Sequence, residues 1–426
     1  MTSVVQDRVK ILHFVECWLP QTETWLYNHV KALPEWVESN FICQWTQNLD
    51  QFPPENLVSL NSPPRQPNLL KRGVRRLGLW DDAERHLELL EQEIRRLKPD
   101  ILHSHFGHFG CVNSKLAAKF DLRHVVSFYG FDANYLPASD PRWISRYKRM
   151  SERADAVLCE GPHMAHCLAD HGVAPNKIRV FRLGIDLGRI PFVPRENRIG
   201  KTSRFLIAGS FREKKGIPYA LEALGRFSKV NPNIEITVIG GAGIGRREQE
   251  EKKAILQQVD RWRLREKTHF LGYQPYQVLI QQLYRHDIFL SPSVTSSDGD
   301  TEGGAPVSII EAAASGMPVI STRHCDIPFV LSAENQLFLA AERDSAGLAR
   351  AIQQLLEVRD WEPIVSANRE LIKSELDVRK QGQKLAGIYE RVVDIVPAAE
   401  QTISCAATVN GSVEKRIAVN SCSSES

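Results

Sequence analysis

The sequence predicts an α/β protein made of two doubly wound parallel sheets. Short β-rich apolar runs alternate with amphipathic helical periods along most of the chain. The alternation comes in two series, parted by the polar, proline-bearing stretch PFVPRENRIGKTS at 191–203. A length of 426 residues is long for one core and suits two domains. In open sheets of this kind ligands bind beyond the carboxyl ends of the strands, so two facing sheets gather their loops into one cleft.

The first series opens with VKILHFV (9–15), an apolar run of strand length. The loop ECWLPQTET (16–24), a helix WLYNHVKAL (25–33) and a strand NFICQWT (40–46) follow. Residues 50–80 are rich in proline and then in arginine, with Arg65, Lys71, Arg72, Arg75 and Arg76 close together. They read first as a solvated loop and helix, and alternatively as a basic surface for an anionic acceptor or lipid headgroups. A helical period covers 82–97, and DILHSHF (100–106) is a buried strand ending in histidines. Helix 111–119, strand 124–128, helix 142–150, strand 156–160, helix 162–171 and strand 177–183 complete the series, closed by Gly184, Ile185 and Asp186.

The second series starts at RFLIAGS (204–210). It continues through helix 217–228, strand 234–241, helix 247–264, strand 268–272, helix 275–285 and strand 288–293. A further strand at 336–340 precedes helices at 344–358, 361–374 and 378–394. Residues 397–426 are rich in Ala, Ser, Thr and Asn without periodicity and are expected to be disordered.

Composition narrows the function classes. The chain is 42% hydrophobic and 25% charged, ordinary for a soluble globular protein, and a formal charge of +3 is too small to argue for nucleic acid. No apolar run approaches the roughly 20 residues that span a bilayer. The N-terminal apolar run has charges on both sides and no small-residue cleavage site, so no signal peptide is expected. The eight cysteines form no CxxC pair, which argues against zinc and thioredoxin-like chemistry. Cys111, Cys159 and Cys325 read as buried thiols, and a reduced cytoplasmic compartment is expected.

The chemistry concentrates in SSDGDTEGGAPVSIIEAAASGMPVIST (296–322), an acidic glycine-rich loop, a short helix and a strand. Pro306 pre-sets the first helical φ, while Gly316 and Pro318 stop the helix. Gly303 and Gly304 let backbone approach a ligand closely, and the free N–H groups of the first turn attract an anion such as phosphate. Glu302 before that turn and Glu311 inside it add acceptors for hydroxyl groups. The combination suits a phosphorylated sugar or nucleotide sugar; a surface loop whose acids complement the helix dipole is the alternative. DGD at 298–300 is read as loop polarity and not as a metal pair.

Four stretches, PDILHSHFG (99–107), VVSFYGFDA (125–133), GSFREKKGI (209–217) and TEGGAPVSIIEAAASGMPVIST (301–322), carry a resemblance to the retaining glycosyltransferases of family 4. It spans about Val9 to Val396, with weaker support at 184–186 and 270–275. LPQTETWLYNHVKAL (19–33) is similar to the early loop and helix of the branch that makes exopolysaccharides of the colanic-acid type. The resemblance implies the GT-B fold, two facing Rossmann-like domains with C-terminal helices packing back on the first. The implied domains are 1–195 for the acceptor and 204–376 for the donor, with helix 377–396 crossing back.

It also implies roles. Lys215 neutralises the departing diphosphate, Glu302 meets the donor sugar's hydroxyls and Glu311 accepts from the ribose. The N–H groups of Val307 and Ser308 face the diphosphate, beside Gly303 and Gly304. Gly272, Tyr273 and Gln274 lie beside the base. Thr22, Glu23, His105, His108 and Asp132 fall to the acceptor side, and His105 and His108, at a strand's carboxyl end, are expected to meet ligand in preference to being buried. His103 reads as a core histidine. The glycine-rich IGGAGIG (239–245) lacks both a P-loop lysine and an NAD-type acid and reads as a loop near the donor cleft; Glu160 to His163 line the cleft or simply start a helix.

The sequence departs from the family in three places. Eight residues separate Glu302 from Glu311 where the family has seven, so either Gly303–Gly304 absorbs one or Asp298 or Asp300 takes the donor-side role. Ser210 stands where arginine is usual, with Arg212 a substitute if the strand extends that far. Tyr129 replaces a histidine and takes its place in the catalytic set with Lys215 and Glu302, as a hydrogen-bond donor and not a base.

The implied activity is retaining, metal-independent transfer from a UDP- or GDP-sugar to a saccharide or lipid-linked saccharide, with no cofactor and no nucleic-acid partner. The expected location is cytoplasmic, with peripheral contact at the inner face of the membrane as an option. A nucleotide-sugar epimerase and a non-catalytic sugar-nucleotide binding subunit are the rival readings.

Overall fold

In the computed structural model, which describes residues 8–20, 23–59, 82–197 and 200–393 (backbone only at 82–86), all strand pairings are parallel. Thr22, the basic residues 65–76 and the tail 397–426 lie outside the described residues. The first sheet holds β1 (Val9–Trp18), β2 (Val37–Thr46), β3 (Leu57–Ser59), β4 (Ile101–His105), β5 (Arg123–Ser127), β6 (Ala156–Cys159) and β7 (Ile178–Val180) in the order 3-2-1-4-5-6-7. The second holds β8 (Ser203–Ala208), β9 (Ile234–Ile239), β10 (Thr268–Gly272), β11 (Ile288–Ser291), β12 (Val319–Thr322) and β13 (Leu339–Ala340) in the order 10-9-8-11-12-13.

The continuous apolar runs follow from helices on both faces. In β1, Ile11 packs toward Leu385 and Tyr389, whereas Leu12 and Phe14 pack toward Leu90, Ile94 and Leu116. The helices of the first half are α1 (Thr24–Lys31), α2 (Asp82–Leu97), α3 (Gly107–Lys119), α4 (Arg142–Arg153) and α5 (Pro162–Asp170). Those of the second are α6 (Ile217–Phe227), α7 (Arg246–Arg261), α8 (Tyr276–Leu283), α9 (Val307–Ala314), α10 (Ser345–Glu357), α11 (Glu362–Glu375) and α12 (Val378–Val393). α12 lies on the first sheet: its Leu385, Ala386, Ile388 and Tyr389 are buried against Ile11, Ile101 and Val125. Where the chain returns, Ile185 N–H donates to Leu376 and Val378 N–H donates to Ile185, at 2.9 and 3.0 Å.

Sequence periodicity missed three features. β3 is only three residues long. A π-helical turn, Phe131–Tyr135, runs into a short helix, Leu136–Ser139. α3 starts at Gly107, four residues before the expected 111, because glycine has low helix propensity and hides the first turn. Packing decides instead: a Cβ at Gly107 would lie 2.1 Å from Phe128, and one at Gly110 2.5 Å from Val126. The expected linker is also pinned, not free, with buried Arg195 donating to the carbonyls of His286 and Ser315 at 3.2 and 3.1 Å.

Candidate active site

The second sheet's loops build one side of the cleft. After β8 the chain turns through Ser210 and Arg212 into a 3₁₀ turn, Glu213–Lys215, ended by Gly216 at φ +63°. A Cβ at Gly216 would lie 1.9 Å from the Pro292 carbonyl oxygen, so only glycine brings this turn against the end of β11. Lys215 is thereby aimed at Glu302: its Nζ donates to Oε2 at 2.8 Å, and Ser293 Oγ donates to Oε1 at 2.9 Å. Burial pushes the Glu302 carboxyl up, but Lys215 and Lys214 outweigh it and hold it at about 2. The Glu302 backbone N–H donates to His324 Nε2, which places the His324 proton on Nδ1, facing Glu342 at 2.6 Å.

The other two acids of the loop have different partners. Asp300 receives Lys214 at 3.1 Å and lies 3.9 Å from Arg212, while Asp298 pairs with Arg247. Of the three, Glu302 is the one against Lys215. Gly303 has a left-handed φ of +76°. α9 begins at Val307 with Pro306 as its N-cap, one position outside the helix and not its first residue. Arg212 lies beyond the end of β8 at Ala208, so strand alternation does not set its direction; it reaches toward Asp300.

Further along α9, Glu311 is 4% exposed and accepts from the Tyr276 hydroxyl at 2.7 Å. Burial pushes its carboxyl up to about 7, against the opposing hydrogen bond. Tyr276 was invisible as a site residue: within 275–285 it looks like any helix aromatic. Gly272, at φ +68°, accepts from Gly240 N–H at 2.9 Å, so the glycine-rich loop after β9 lies beside it. Tyr273 is 52% exposed next to Gly241, and the Gln274 amide folds back on the Leu271 carbonyl.

The two halves meet at glycines. A Cβ on Gly130 would lie 2.5 Å from the Glu302 carbonyl oxygen, and one on Gly303 2.3 Å from Gly130 Cα. Glu160, at the end of β6, lies against Gly304; burial, then Asp326 and Asp132, raise its carboxyl well above the usual range. Asp326 caps α5, accepting from His163 N–H at 2.8 Å and Met164 N–H at 3.5 Å.

On the acceptor side the expected residues are more deeply placed than their position at a strand end indicates. His105 is 3% exposed, with Nδ1 on the Tyr129 hydroxyl at 2.8 Å and Nε2 on His13 Nδ1 at 3.1 Å. The expectation of ligand contact over burial is corrected: the first strand's His13, unreadable from the motif, closes the space. Tyr129 is itself buried against Trp25, its hydroxyl turned to His105 and not to the cleft. Asp132 is fully buried and accepts from the N–H groups of Gly107 and Tyr129 at 2.5 and 2.8 Å, so it ties α3 to the turn and does not face an acceptor. Burial raises it to about 7 despite those bonds. His108 is half-buried behind Phe131, and burial lowers it to about 4. Glu23, half-buried at the start of α1, is raised to about 7 by burial and then by Glu16.

His103 is a core residue, bonded to Tyr389 at 2.7 Å and Ser127 at 2.8 Å. Among the described residues, His13, His103 and His105 are the one group spaced to hold a metal. Their nitrogens are largely spent on hydroxyls and each other, and the set lacks a carboxylate to offset a cation, so it fits a hydrogen-bonded core better. Burial pushes the thiols of Cys111, Cys159 and Cys325 up to about 12, which removes them as nucleophiles.

This arrangement offers a cation, a helix N-terminus and two carboxylates shifted in opposite directions, Glu302 down and Glu311 up, around one glycine loop. Residues 22–189 match the family described as Glycosyltransferase Family 4, and residues 190–372 that described as Glycosyl transferases group 1. The putative colanic acid biosynthesis glycosyltransferase WcaL of Escherichia coli is 28% identical over 337 residues, 75% of this chain and 80% of its own. The amylovoran biosynthesis glycosyltransferase AmsK of Erwinia amylovora is 30% identical over 296 residues, 69% and 70% of the two chains. Anabaena HepE, solved with UDP and glucose, superposes with a TM-score of 0.71 at 16% identity, over 90% of this chain and 100% of its own. Sucrose-phosphate synthase of Thermosynechococcus elongatus gives 0.69 at 18%, over 90% and 99%.

Proposed function

Because the chain belongs to the family 4 glycosyltransferases, with the two-domain GT-B fold, we propose that it moves a sugar from a nucleotide-diphosphate donor to a saccharide with retention at the anomeric carbon. The observation that carries the reading is the Lys215–Glu302 pair at 2.8 Å, with Glu302 in the loop that leads into α9. The acceptor hydroxyl oxygen bonds to the anomeric carbon as the bond from that carbon to the diphosphate oxygen breaks. The hydroxyl proton passes to the departing phosphate. Lys215 and the first N–H groups of α9, those of Val307 and Ser308, stabilise the charge that gathers on the diphosphate.

Glu302 orients the sugar's hydroxyls and Glu311 the ribose. Tyr273 offers its exposed ring to the base, supported by Gly272 and Gln274. With Lys214 and Lys215 supplying positive charge, the transfer is metal-independent. The relatives WcaL and AmsK support exopolysaccharide synthesis, and the UDP-bound likeness of HepE supports a uridine donor, with GDP as the other base to test. No described helix is long and apolar enough to cross a membrane. The acceptor in this reading is a saccharide or lipid-linked saccharide met in the cytoplasm.

A panel of UDP- and GDP-sugars, assayed with and without EDTA and with product anomers read by NMR, tests this. Retained configuration and EDTA-resistant transfer are expected. Inversion or a strict Mn²⁺ requirement would overturn the mechanism. Epimerised sugar nucleotide from donor alone would favour an epimerase, and nucleotide binding without transfer a binding subunit.

A further inference from the structure

We propose that His324, held by Glu342, is a positioning residue for Glu302, fixing the peptide plane from which the Glu302 carboxylate reaches Lys215. This rests on the transferase reading and adds the residues that aim its donor-side acid. The peptide between Thr301 and Glu302 is bonded at both ends. Its carbonyl accepts from the buried Lys214 ammonium at 2.8 Å, and its N–H donates to His324 Nε2 at 3.1 Å. A peptide is planar, so two opposed bonds fix its orientation and with it the start of the Glu302 side chain. From there both carboxylate oxygens are used, one by Lys215 Nζ at 2.8 Å and one by Ser293 Oγ at 2.9 Å.

The anchors come from strands of one sheet. Lys214 follows β8, His324 follows β12 and Glu342 follows β13, so the loop is gripped from three carboxyl ends. His324 is 1% exposed, so it acts through Glu302 and does not meet the sugar. The place of its proton is dictated from both sides. Toward Glu302 it meets a backbone N–H, which can only donate, so Nε2 carries no proton. The Cys325 thiol, 3.2 Å from the same nitrogen, is a second donor there. Toward Glu342, Nδ1 lies 2.6 Å from Oε1, and the proton sits on that side.

Glu342 does this as a carboxylate. Its Oε2 accepts from the Thr295 N–H at 2.7 Å while Oε1 takes His324. Burial pushes this carboxyl up, but the Thr295 N–H and His324 outweigh it and hold it below the ordinary range. With both oxygens accepting, neither offers a hydrogen to Nδ1. The other tautomer, which would set N–H against N–H at Glu302, is thereby disfavoured.

Glutamine and asparagine separate the two bonds of His324. His324→Gln extends an amide to about the reach of Nε2 and can still accept from the Glu302 N–H, whereas His324→Asn reaches only to Nδ1. Hydrolysis of UDP-glucose, UDP-galactose and GDP-mannose is the rate to follow. In His324→Asn it should fall about tenfold to a hundredfold, the cost of roughly 1 Å of misplacement, and in His324→Gln it should stay within about threefold of wild type. Affinity for UDP and GDP by calorimetry should be unchanged in both, where a merely structural role would lower it with the rate. Crystal structures should show Glu302 Oε2 withdrawn from Lys215 Nζ in His324→Asn and in contact in His324→Gln. Long-range proton–nitrogen NMR of the wild-type chain should find the His324 proton on Nδ1, a measurement that stands even if His324→Asn does not fold. A proton on Nε2, an equal loss of rate in the two variants, or an unmoved Glu302 in the His324→Asn crystal would overturn the proposal. A wild type that binds neither UDP nor GDP, with Glu302 displaced in that crystal, would keep the positioning pair and overturn the donor reading instead.

Discussion

Lys215 Nζ and Glu302 Oε2 lie 2.8 Å apart with the lysine side chain 21% and the glutamate 6% exposed. Glu302 keeps Lys214 as a neighbouring cation if Lys215 is lost, so Lys215→Ala should fold. It should still lower kcat by at least about 10²-fold, the usual cost of removing one group that stabilises transition-state charge. Radiolabelled transfer beside a thermal melt checks this; a folded variant with near wild-type kcat would remove Lys215 from the mechanism.

The same pair predicts acid sensitivity. The folded Glu302 carboxyl is held at about 2, below its ordinary 4.5. Its stabilisation is therefore complete above about pH 4.5 and is lost as the pH falls from there through 2, on the order of 3 kcal/mol in all. Urea unfolding of wild type and Glu302→Gln should converge across that window; curves that stay parallel from pH 5 to 3 would contradict it.

The span of its contacts decides how much of this molecule could be read from the chain. β1 and β11 were legible because both carry continuous apolar runs packed on both faces. Lys215, Glu302 and Glu311 could be singled out as candidates because each sits in a local motif marked by glycine or proline. Asp326 and the histidine core were not, since Asp326 meets His163 across 163 positions and His103 meets Tyr389 across 286. No window of sequence contains both partners. His105 was misplaced for that reason: the strand end is visible in the motif, but His13, which covers it, is 92 residues away.

Asp326 should act as a latch between the halves. Its carboxylate caps α5 of the first half from a loop of the second. Asparagine is as good an N-cap as aspartate, and alanine costs about 1 kcal/mol. Asp326→Asn should therefore keep the wild-type radius of gyration in small-angle scattering, and Asp326→Ala should increase it and slow transfer. Indistinguishable scattering from the two variants would dismiss the latch.

The Tyr129 hydroxyl is engaged by His105 at 2.8 Å, and burial raises its ionisation well above the ordinary range. It is thus placed to support the core and not to take a proton. Tyr129→Phe strands His105 Nδ1, which should cost about 1–3 kcal/mol of stability. Its kcat should stay within about threefold of wild type with an unchanged pH profile. A hundredfold loss with an intact melt would return the hydroxyl to the catalytic set.

Glu311 should make nucleotide binding depend on pH near neutrality. Its carboxyl is raised to about 7 by burial, so the folded chain holds a proton that an unfolded chain releases at 4.5. The free protein accordingly loses stability as the pH rises from about 4.5 to 7. A ribose hydroxyl donates to the ionised form, so UDP affinity should move the other way, rising between pH 6 and 8. Tyr276→Phe removes the bond that favours ionisation and should shift that rise to higher pH, while Glu311→Gln should flatten it. Calorimetric titration of UDP at pH 6, 7 and 8 decides the matter once the ionisation of the UDP terminal phosphate, at about 6, is subtracted: a remaining slope that survives Glu311→Gln would place the titrating group elsewhere in the cleft.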